Sequence, residues 1–346
     1  MKRVAVVGAA GYAGIEMVRL VLGHPRMELV AATSSADAGT PLSSLYPHLL
    51  GVCDLTLVPH DDPSVADVDV AVLAVPHTAA IAMAPTLLAR GVTVVDLSAD
   101  FRLKDAGVYE EWYEVEHTAP ELLAQAVYGL VEMNRLELPG AKLIASPGCY
   151  PTASVLAALP ALEAGLIAAG TIHIDAKSGV SGAGRGANAV THFCSAAEAV
   201  TPYKVAAHRH TPEIEQSYSQ LAGEERLVTF APHLVPAIRG LLSTVYLPLK
   251  EGVTPEAVEE LYRARYEGEC FVEFIETPAG SVSTRSVRGT NKAHVGIAVD
   301  TRTNTLVATC AIDNLVKGAA GQALQAANVA LGFDEGAGLM TLAPLV

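Results

Sequence analysis

Short apolar runs separated by glycine-bearing or polar breaks mark the first 150 positions: Val4–Val7, Glu28–Ala32, Val68–Ala74, Val92–Leu97 and Lys142–Ala145. They read as strands of an open α/β sheet, and Ile15–Leu22 supplies a helix after the first break. Past this point the pattern changes. Thr171–Ile174, Leu227–Phe230, Leu241–Leu249, Val272–Phe274, Ala293–Val299 and Thr305–Ile312 are alternating or short. They predict a mostly antiparallel sheet with covering helices, one of them within Thr254–Tyr266. From Leu315 the chain reads as a helix that leaves this sheet and packs back on the first half. The expected fold is an α/β, Rossmann-like domain with a mostly parallel sheet over 1–148, completed by a helix at about 315–333. An α+β catalytic and dimerisation domain with a mostly antiparallel sheet follows over 149–314.

The first break, GAAGYAG, places glycines at 8, 11 and 14 between a strand and a helix. Gly8 permits a turn that a Cβ would strain, while Gly11 and Gly14 allow close approach of backbone to a pyrophosphate and of helix to strand. The helix that begins near Gly11 aims free N–H groups at phosphate, with Tyr12 and Ala13 in its first turn. A glycine-rich turn without a ligand is the blander alternative. At the end of the second strand stand Thr33-Ser34-Ser35, where an NAD-specific site carries a carboxylate. The hydroxyls of Ser34 and Ser35 can bond a 2′-phosphate, which favours NADP; Asp37 nearby would oppose it if turned into the pocket. His77 and Ser98 follow later strands and are candidates for the rim of the same site. A turn-forming proline before His77 accounts for it equally well.

Cys149 in SPGCYPTA lies between an apolar strand and a helix, an elbow where a thiol projects and a helix N-terminus favours its thiolate. The other cysteines, 53, 194, 270 and 310, are expected to be small buried hydrophobes. In HRHTPEIEQ, Thr211 reads as an N-cap and Pro212 as the first helical residue, with Glu213 favouring the first turn. His208 and His210 share a face if the approach is strand-like, and either can act as acid and base for the thiol, with a slight preference for His208. A zinc site is the competing reading, but four ligands are not identifiable and no metal is expected. DAKSGVSGAGRG, read as a loop after Thr171–Ile174, offers Lys177, Ser181 and Arg185 to a small polyanion; a flexible surface turn is its alternative. Asn314 either pairs with a nicotinamide carboxamide or caps the helix at Leu315.

Composition narrows the class. A hydrophobic fraction of 51% with 17% charged residues excludes a disordered chain, and a net charge of −14 leaves no basic stripe for nucleic acid. The scattered, odd set of five cysteines argues against a disulfide framework. With no leader-like opening and no long apolar span, a cytoplasmic location and no membrane partner are expected.

Taken in order, GAAGYAG, SADFR at Ser98–Arg102, SPGCYPTA, KSGVSGAGR, HRHTPEIEQ and NLVKGAAGQA resemble the N-acetyl-gamma-glutamyl-phosphate reductase family, related more distantly to aspartate-semialdehyde dehydrogenase. The resemblance implies an NADP-dependent phosphorylating aldehyde dehydrogenase of arginine biosynthesis. Such an enzyme converts an acyl phosphate, through a cysteine thioester, to N-acetyl-L-glutamate 5-semialdehyde and inorganic phosphate, and works as a homo-oligomer. Arg102, Lys177, Arg185 and Arg209 are the cations available for phosphate and substrate carboxylate, with Ser181 and Glu213 as further substrate-binding candidates. The homologous carrier-protein-linked reductases of lysine synthesis are the near competitor. Tyr150-Pro151 and Gly179–Arg185 keep the arginine-pathway form. A nucleotide-sensing scaffold without turnover and an oxidoreductase without a covalent intermediate are the alternatives from other classes.

Overall fold

Strand β1 (Lys2–Val7) runs through the interior of a parallel sheet, and its last four residues have no exposed surface. Its neighbours are β2 (Met27–Thr33) and β3 (Val70–Leu73), followed by β4 (Thr93–Asp96), β6 (Leu143–Ala145) and β5 (Val127–Tyr128). Among the described residues, 1–276 and 282–344, this sheet has six strands in the order β2-β1-β3-β4-β6-β5, every pair parallel. The wholly buried patterns of β3, β4 and β6 follow from cover on both faces, as a parallel sheet requires. Helices α1 (Tyr12–Leu22), α2 (Ala79–Ala89) and α3 (Ala106–Tyr113) connect them. The chain leaves β1 toward one edge and returns at β3 on the other side, so the turns after these two strands flank a topological switch point. This is where open α/β sheets bind ligands.

The computed structural model divides into two compact units, Met1–Pro147 with Ala319–Met340, and Gly148–Gly318 with the chain from Thr341. Helix α7 (Gly321–Ala330) belongs to the first. Its buried polar side chains bond to that unit: Gln322 Nε2 donates to Gly129 O at 2.8 Å, and Asn328 Oδ1 meets His24 Nε2 at 3.0 Å. The expected continuous α-helix from Leu315 is instead a π-helical turn, Val316–Ala320, leading into α7. The cause is Asp313. Its Oδ1 accepts the N–H groups of Leu315 and Val316, and its own carbonyl accepts from Gly318 five residues on.

In the second unit, β11 (Val272–Phe274), β12 (Ala293–Asp300), β13 (Thr305–Ile312), β10 (Leu241–Pro248), β7 (Ile172–Gly179), β9 (Val228–Val235) and β8 (Thr201–Pro202) lie side by side in that order. Four of these pairings are antiparallel, while β7 with β9 and β11 with β12 are parallel. Strand β7 extends through Gly179, so Asp175 and Lys177 stand on a strand and not on the loop expected there. Pairing on both sides, with β10 and β9, carries the strand that far.

Helix α4 (Cys149–Glu163) packs against one face of this sheet and is buried without a break from Tyr150 to Leu162. A helix apolar all round requires such a setting. Pro160 within it has no N–H for the Leu156 carbonyl, and the Tyr266 hydroxyl donates to that oxygen instead. Helices α5 (Thr211–Ala222) and α6 (Pro255–Tyr266) pack on α4, Tyr218 donating to Ser154 O at 2.8 Å and Tyr262 to Ala157 O at 2.7 Å.

Candidate active site

In the first unit the glycine turn has the geometry its sequence implies. Gly8 adopts φ +85°, and a Cβ there would lie 2.3 Å from the Ala74 carbonyl oxygen across the switch point. One on Gly14 would lie 2.1 Å from Gly8 O, so both positions exclude any side chain. Gly11 is the extended N-cap of α1 and offers no side-chain cap, which leaves the first-turn N–H groups, including those of Tyr12 and Ala13, facing outward. Thr33, outside the predicted set, anchors the turn: its Oγ1 accepts from Gly8 N at 3.2 Å and its carbonyl from Ala9 N at 2.9 Å. His60 Nδ1 also bonds the Thr33 hydroxyl. A dinucleotide fits this cradle. Pyrophosphate would meet the α1 N-terminus, and a ribose would meet the end of β2.

At that end, Ser34 is buried and Ser35 exposed. Ser34 Oγ donates to Asp37 Oδ2 at 2.9 Å and accepts from Asp37 N at 3.2 Å, so the Asp37 carboxylate is turned back on Ser34. His77 is exposed, its Nδ1 accepting from Ala99 N and its ring meeting Tyr113 edge-on. Ser98 is buried; Asp96 accepts both its N–H and its hydroxyl. Burial first, and the nearby Asp100 second, push Asp96 up to about 7. Asp100 ties the segment to α2 and α3 by accepting from Thr78 N, Ile81 N and the Tyr109 hydroxyl. Arg102, also buried here, donates to Leu97 O at 2.8 Å.

Cys149 opens α4 in the second unit and is half-buried. Gly318 packs against it so closely that a Cβ would lie 2.7 Å from the Cys149 Cβ. On Gly148, the N-cap, Glu213 Oε1 accepts the N–H at 2.9 Å and Thr152 Oγ1 donates to the carbonyl at 2.9 Å. The other cysteines are not uniformly buried. Cys53 and Cys310 are, Cys270 is half-buried, and Cys194 is exposed because it sits in the short helix Phe193–Ala196, none of whose residues is buried.

The HRH segment is a turn rather than a strand, with Thr211 N bonded to His208 O. Helix α5 therefore starts one residue early: His210 is the N-cap, Thr211 lies inside the helix, and its hydroxyl caps nothing. The turn still brings the two imidazoles together, 4.8 Å between centroids. His208 is enclosed by Tyr150, Tyr203 and Phe230, and its Nδ1 accepts from His210 N at 3.1 Å. Burial, with Lys204 and Arg209 adding repulsion, pulls it down to about 4. A neutral ring that accepts at Nδ1 carries its proton on Nε2, so His208 has no ready lone pair for the thiol proton. These features weigh against the slight preference for His208 over His210.

Tyr203, which no local motif signals, donates to the Tyr150 hydroxyl at 3.1 Å, and Tyr150 donates to His233 O at 3.3 Å. Burial above all raises both tyrosines above the usual phenol range, and the neighbouring Cys149 acts in the same direction. Lys177 Nζ pairs with Asp175 at 2.6 Å, and Asp175 also meets His233 Nδ1 at 3.2 Å. Arg185 is exposed and Arg209 half-buried. Asn314 Oδ1 accepts from Gly240 N at 2.8 Å and its Nδ2 donates to Ser181 Oγ at 2.9 Å. The capping role open to Asn314 is filled by Asp313, which also pairs with Arg239 at 2.9 Å.

Two family models match in succession, the NAD binding domain of semialdehyde dehydrogenases over residues 3–141 and their dimerisation domain over 149–314. The N-acetyl-gamma-glutamyl-phosphate reductase of Symbiobacterium thermophilum is 47% identical over 345 residues, with 99% of each chain covered. The chain belongs to the N-acetyl-gamma-glutamyl-phosphate reductase family. Another member, from Pelotomaculum thermopropionicum, is 49% identical over 339 residues, 97% of each chain. The fold extends beyond the family. Aspartate semialdehyde dehydrogenase II of Vibrio cholerae, complexed with ASA, superposes with a TM-score of 0.74 at 16% identity, covering 95% of this chain and 98% of that one. The Candida albicans enzyme with NADP gives 0.69 at 17% identity, with the same coverage. The glycine turn thus belongs to a nicotinamide-dinucleotide-binding domain, and no helix among the described residues is long and apolar enough to cross a membrane.

Proposed function

We propose that this protein reduces N-acetyl-L-glutamyl 5-phosphate to N-acetyl-L-glutamate 5-semialdehyde with release of phosphate, a step of arginine biosynthesis. The observation that carries the reading is Cys149 at the N-terminus of a buried helix beside the HRH turn, in a chain matching reductases of that name from end to end. The Cys149 thiolate attacks the acyl phosphate carbon, the tetrahedral oxyanion collapses with loss of phosphate, and a thioester remains on Sγ. Backbone N–H groups at the helix start receive the oxyanion; Gly148 N is engaged by Glu213 and Pro151 has none, which directs this role to Cys149 and Tyr150. NADPH, when bound, would supply a hydride to the thioester carbon; the C–Sγ bond then breaks, releasing the aldehyde and returning the Cys149 thiolate. His210 takes the Cys149 thiol proton and passes it to the departing phosphate, while His208, neutral and enclosed, packs the turn that presents it. Lys177, Arg185, Arg209 and Arg102 are the cations for phosphate and carboxylate, and Ser181 adds a hydroxyl.

NADP over NAD is supported by the exposed Ser35 hydroxyl and by Asp37 folded onto Ser34. Gly8, Gly11, Tyr12, Ala13 and Gly14 form its pyrophosphate cradle, and Ser34, Ser35, His77 and Ser98 border it, while the Asn314 amide is spent on Gly240 N and Ser181 Oγ. A second copy of the chain is the partner we propose for the sheet face that α4 leaves open. There Thr229, His173, Thr244, Tyr246, Val307 and Ala298 remain partly or fully exposed, as does Phe193 outside the sheet.

The test runs the reaction backward. Free N-acetyl-L-glutamate 5-semialdehyde and NADP are mixed with phosphate, with arsenate or with neither. NADP reduction that depends on phosphate or arsenate supports the acyl-enzyme route; equal turnover without either anion overturns it. A strong preference for a carrier-protein-linked semialdehyde moves the protein to the other pathway.

A further inference from the structure

Glu213 lies at the third position of α5, is 1% exposed, and spends Oε1 on the N–H of Gly148. Gly148 is the residue immediately before the nucleophile and, as a glycine N-cap, has no side chain with which to cap its own helix. Its carbonyl is held as firmly as its N–H, since both N and Oγ1 of Thr152 donate to it. Gly148, the residue before the nucleophile, is therefore clamped through both of its peptide groups, its C=O by its own helix and its N–H by a carboxylate 65 residues away. That carboxylate sits where two helix N-termini meet, α5 stabilising it from behind and α4 from in front. A direct contact with a substrate bearing phosphate and carboxylate groups would set like charge against like charge.

We propose that Glu213 is a positioning residue for the nucleophile: it fixes the N–H side of Gly148, and with it the direction in which the chain enters Cys149, and places a carboxylate at the residue before the thiol. The inference rests on Cys149 as the nucleophile. The clamp and the charge are separable. Glu213→Gln keeps an oxygen acceptor at the same reach and removes the charge, whereas Glu213→Ala removes both.

The experiment follows alkylation of Cys149 by iodoacetamide against pH, located by peptide mapping, in holoenzyme of the wild type and both variants, together with NADP affinity and steady-state kinetics. In Glu213→Gln the alkylation midpoint moves to lower pH by about half a unit to one unit, and kcat stays within about fivefold of wild type. In Glu213→Ala kcat falls at least about tenfold with NADP affinity unchanged. A Gln variant whose midpoint coincides with wild type, or lies above it, overturns the proposal even if the Ala variant does not fold. An Ala variant with normal kcat and a raised KM for substrate also overturns it and makes Glu213 a substrate contact. Wild-type label found away from Cys149 removes the nucleophile reading and this inference together.

Discussion

Around Cys149, reactivity depends on single atoms. Gly318 is required because anything larger meets the nucleophile, with a built Cβ 2.7 Å from the Cys149 Cβ and 3.2 Å from its Cα. Neither atom is the far end of a flexible side chain, so backbone has to move. Gly318→Ala is expected to destabilise the fold by about 1–3 kcal/mol and to cut kcat at least about tenfold with NADP affinity intact. Chemical denaturation and steady-state kinetics check the two parts. His208 gives a pH signature. Held at about 4 when folded and near the ordinary 6.5 when unfolded, it binds more protons in the unfolded chain across that interval, so stability falls as pH drops from 6.5 toward 4. The loss of melting temperature between pH 7 and pH 5 is expected to be smaller in His208→Asn than in wild type. Equal losses in the two proteins would show that the ring is not kept neutral by its surroundings.

Helix α4 concentrates the energetics of its unit. Buried from Tyr150 to Leu162 and broken in its bonding by Pro160, it is completed by hydroxyls from two other helices, with Tyr218, Tyr262 and Tyr266 each donating to one of its carbonyls. Tyr266→Phe leaves the Leu156 oxygen without a donor and is expected to cost about 1–3 kcal/mol, more than Tyr246→Phe on the open sheet face. Urea titrations of the two variants make the comparison. The turn into α7 shows the same logic with charge, since one buried carboxylate, Asp313, accepts from Leu315, Val316 and Gly289 and pairs with Arg239. Side-chain hydroxyls thus serve carbonyls within α4, and a carboxylate serves the N–H groups at the turn into α7.

On the scale of the whole molecule, the seven-stranded sheet has one face under α4 and another whose central strands carry Thr244, Tyr246 and Val307 partly exposed. A mixed surface of this kind suits a second copy, which would bury it without an unpaired charge at its centre. Thr244→Arg placed there is expected to shift the mass measured by light scattering toward a single chain while the far-ultraviolet circular dichroism stays that of the wild type. An unchanged mass would locate assembly elsewhere, the exposed Val190, Phe193 and Val205 being the next surface to alter.

The strand, turn and helix at Gly8–Gly14, the elbow at Cys149 and the change from parallel to mostly antiparallel pairing were all legible in the chain. Each is written in neighbouring residues: a glycine whose Cβ would strike backbone, a run of apolar positions, a proline at the head of a helix. The limits of β7 and the π-helical turn after Asp313 were not, because partner strands on both sides and a carboxylate's choice of acceptances decide them. The same holds for the site. Sequence placed Glu213 near the chemistry and offered Asn314 as a cap. Only the packing of α5 on α4 brought Glu213 to the N–H of Gly148, and only the approach of β10 and the Ser181 turn engaged both ends of the Asn314 amide. Tyr203, 53 residues from the Tyr150 hydroxyl it bonds, carries no local signal at all. Backbone sterics and hydrophobic periodicity act within a few residues and can be read along the chain, whereas the partner of a hydroxyl, carboxylate or imidazole is fixed by what another element presents to it.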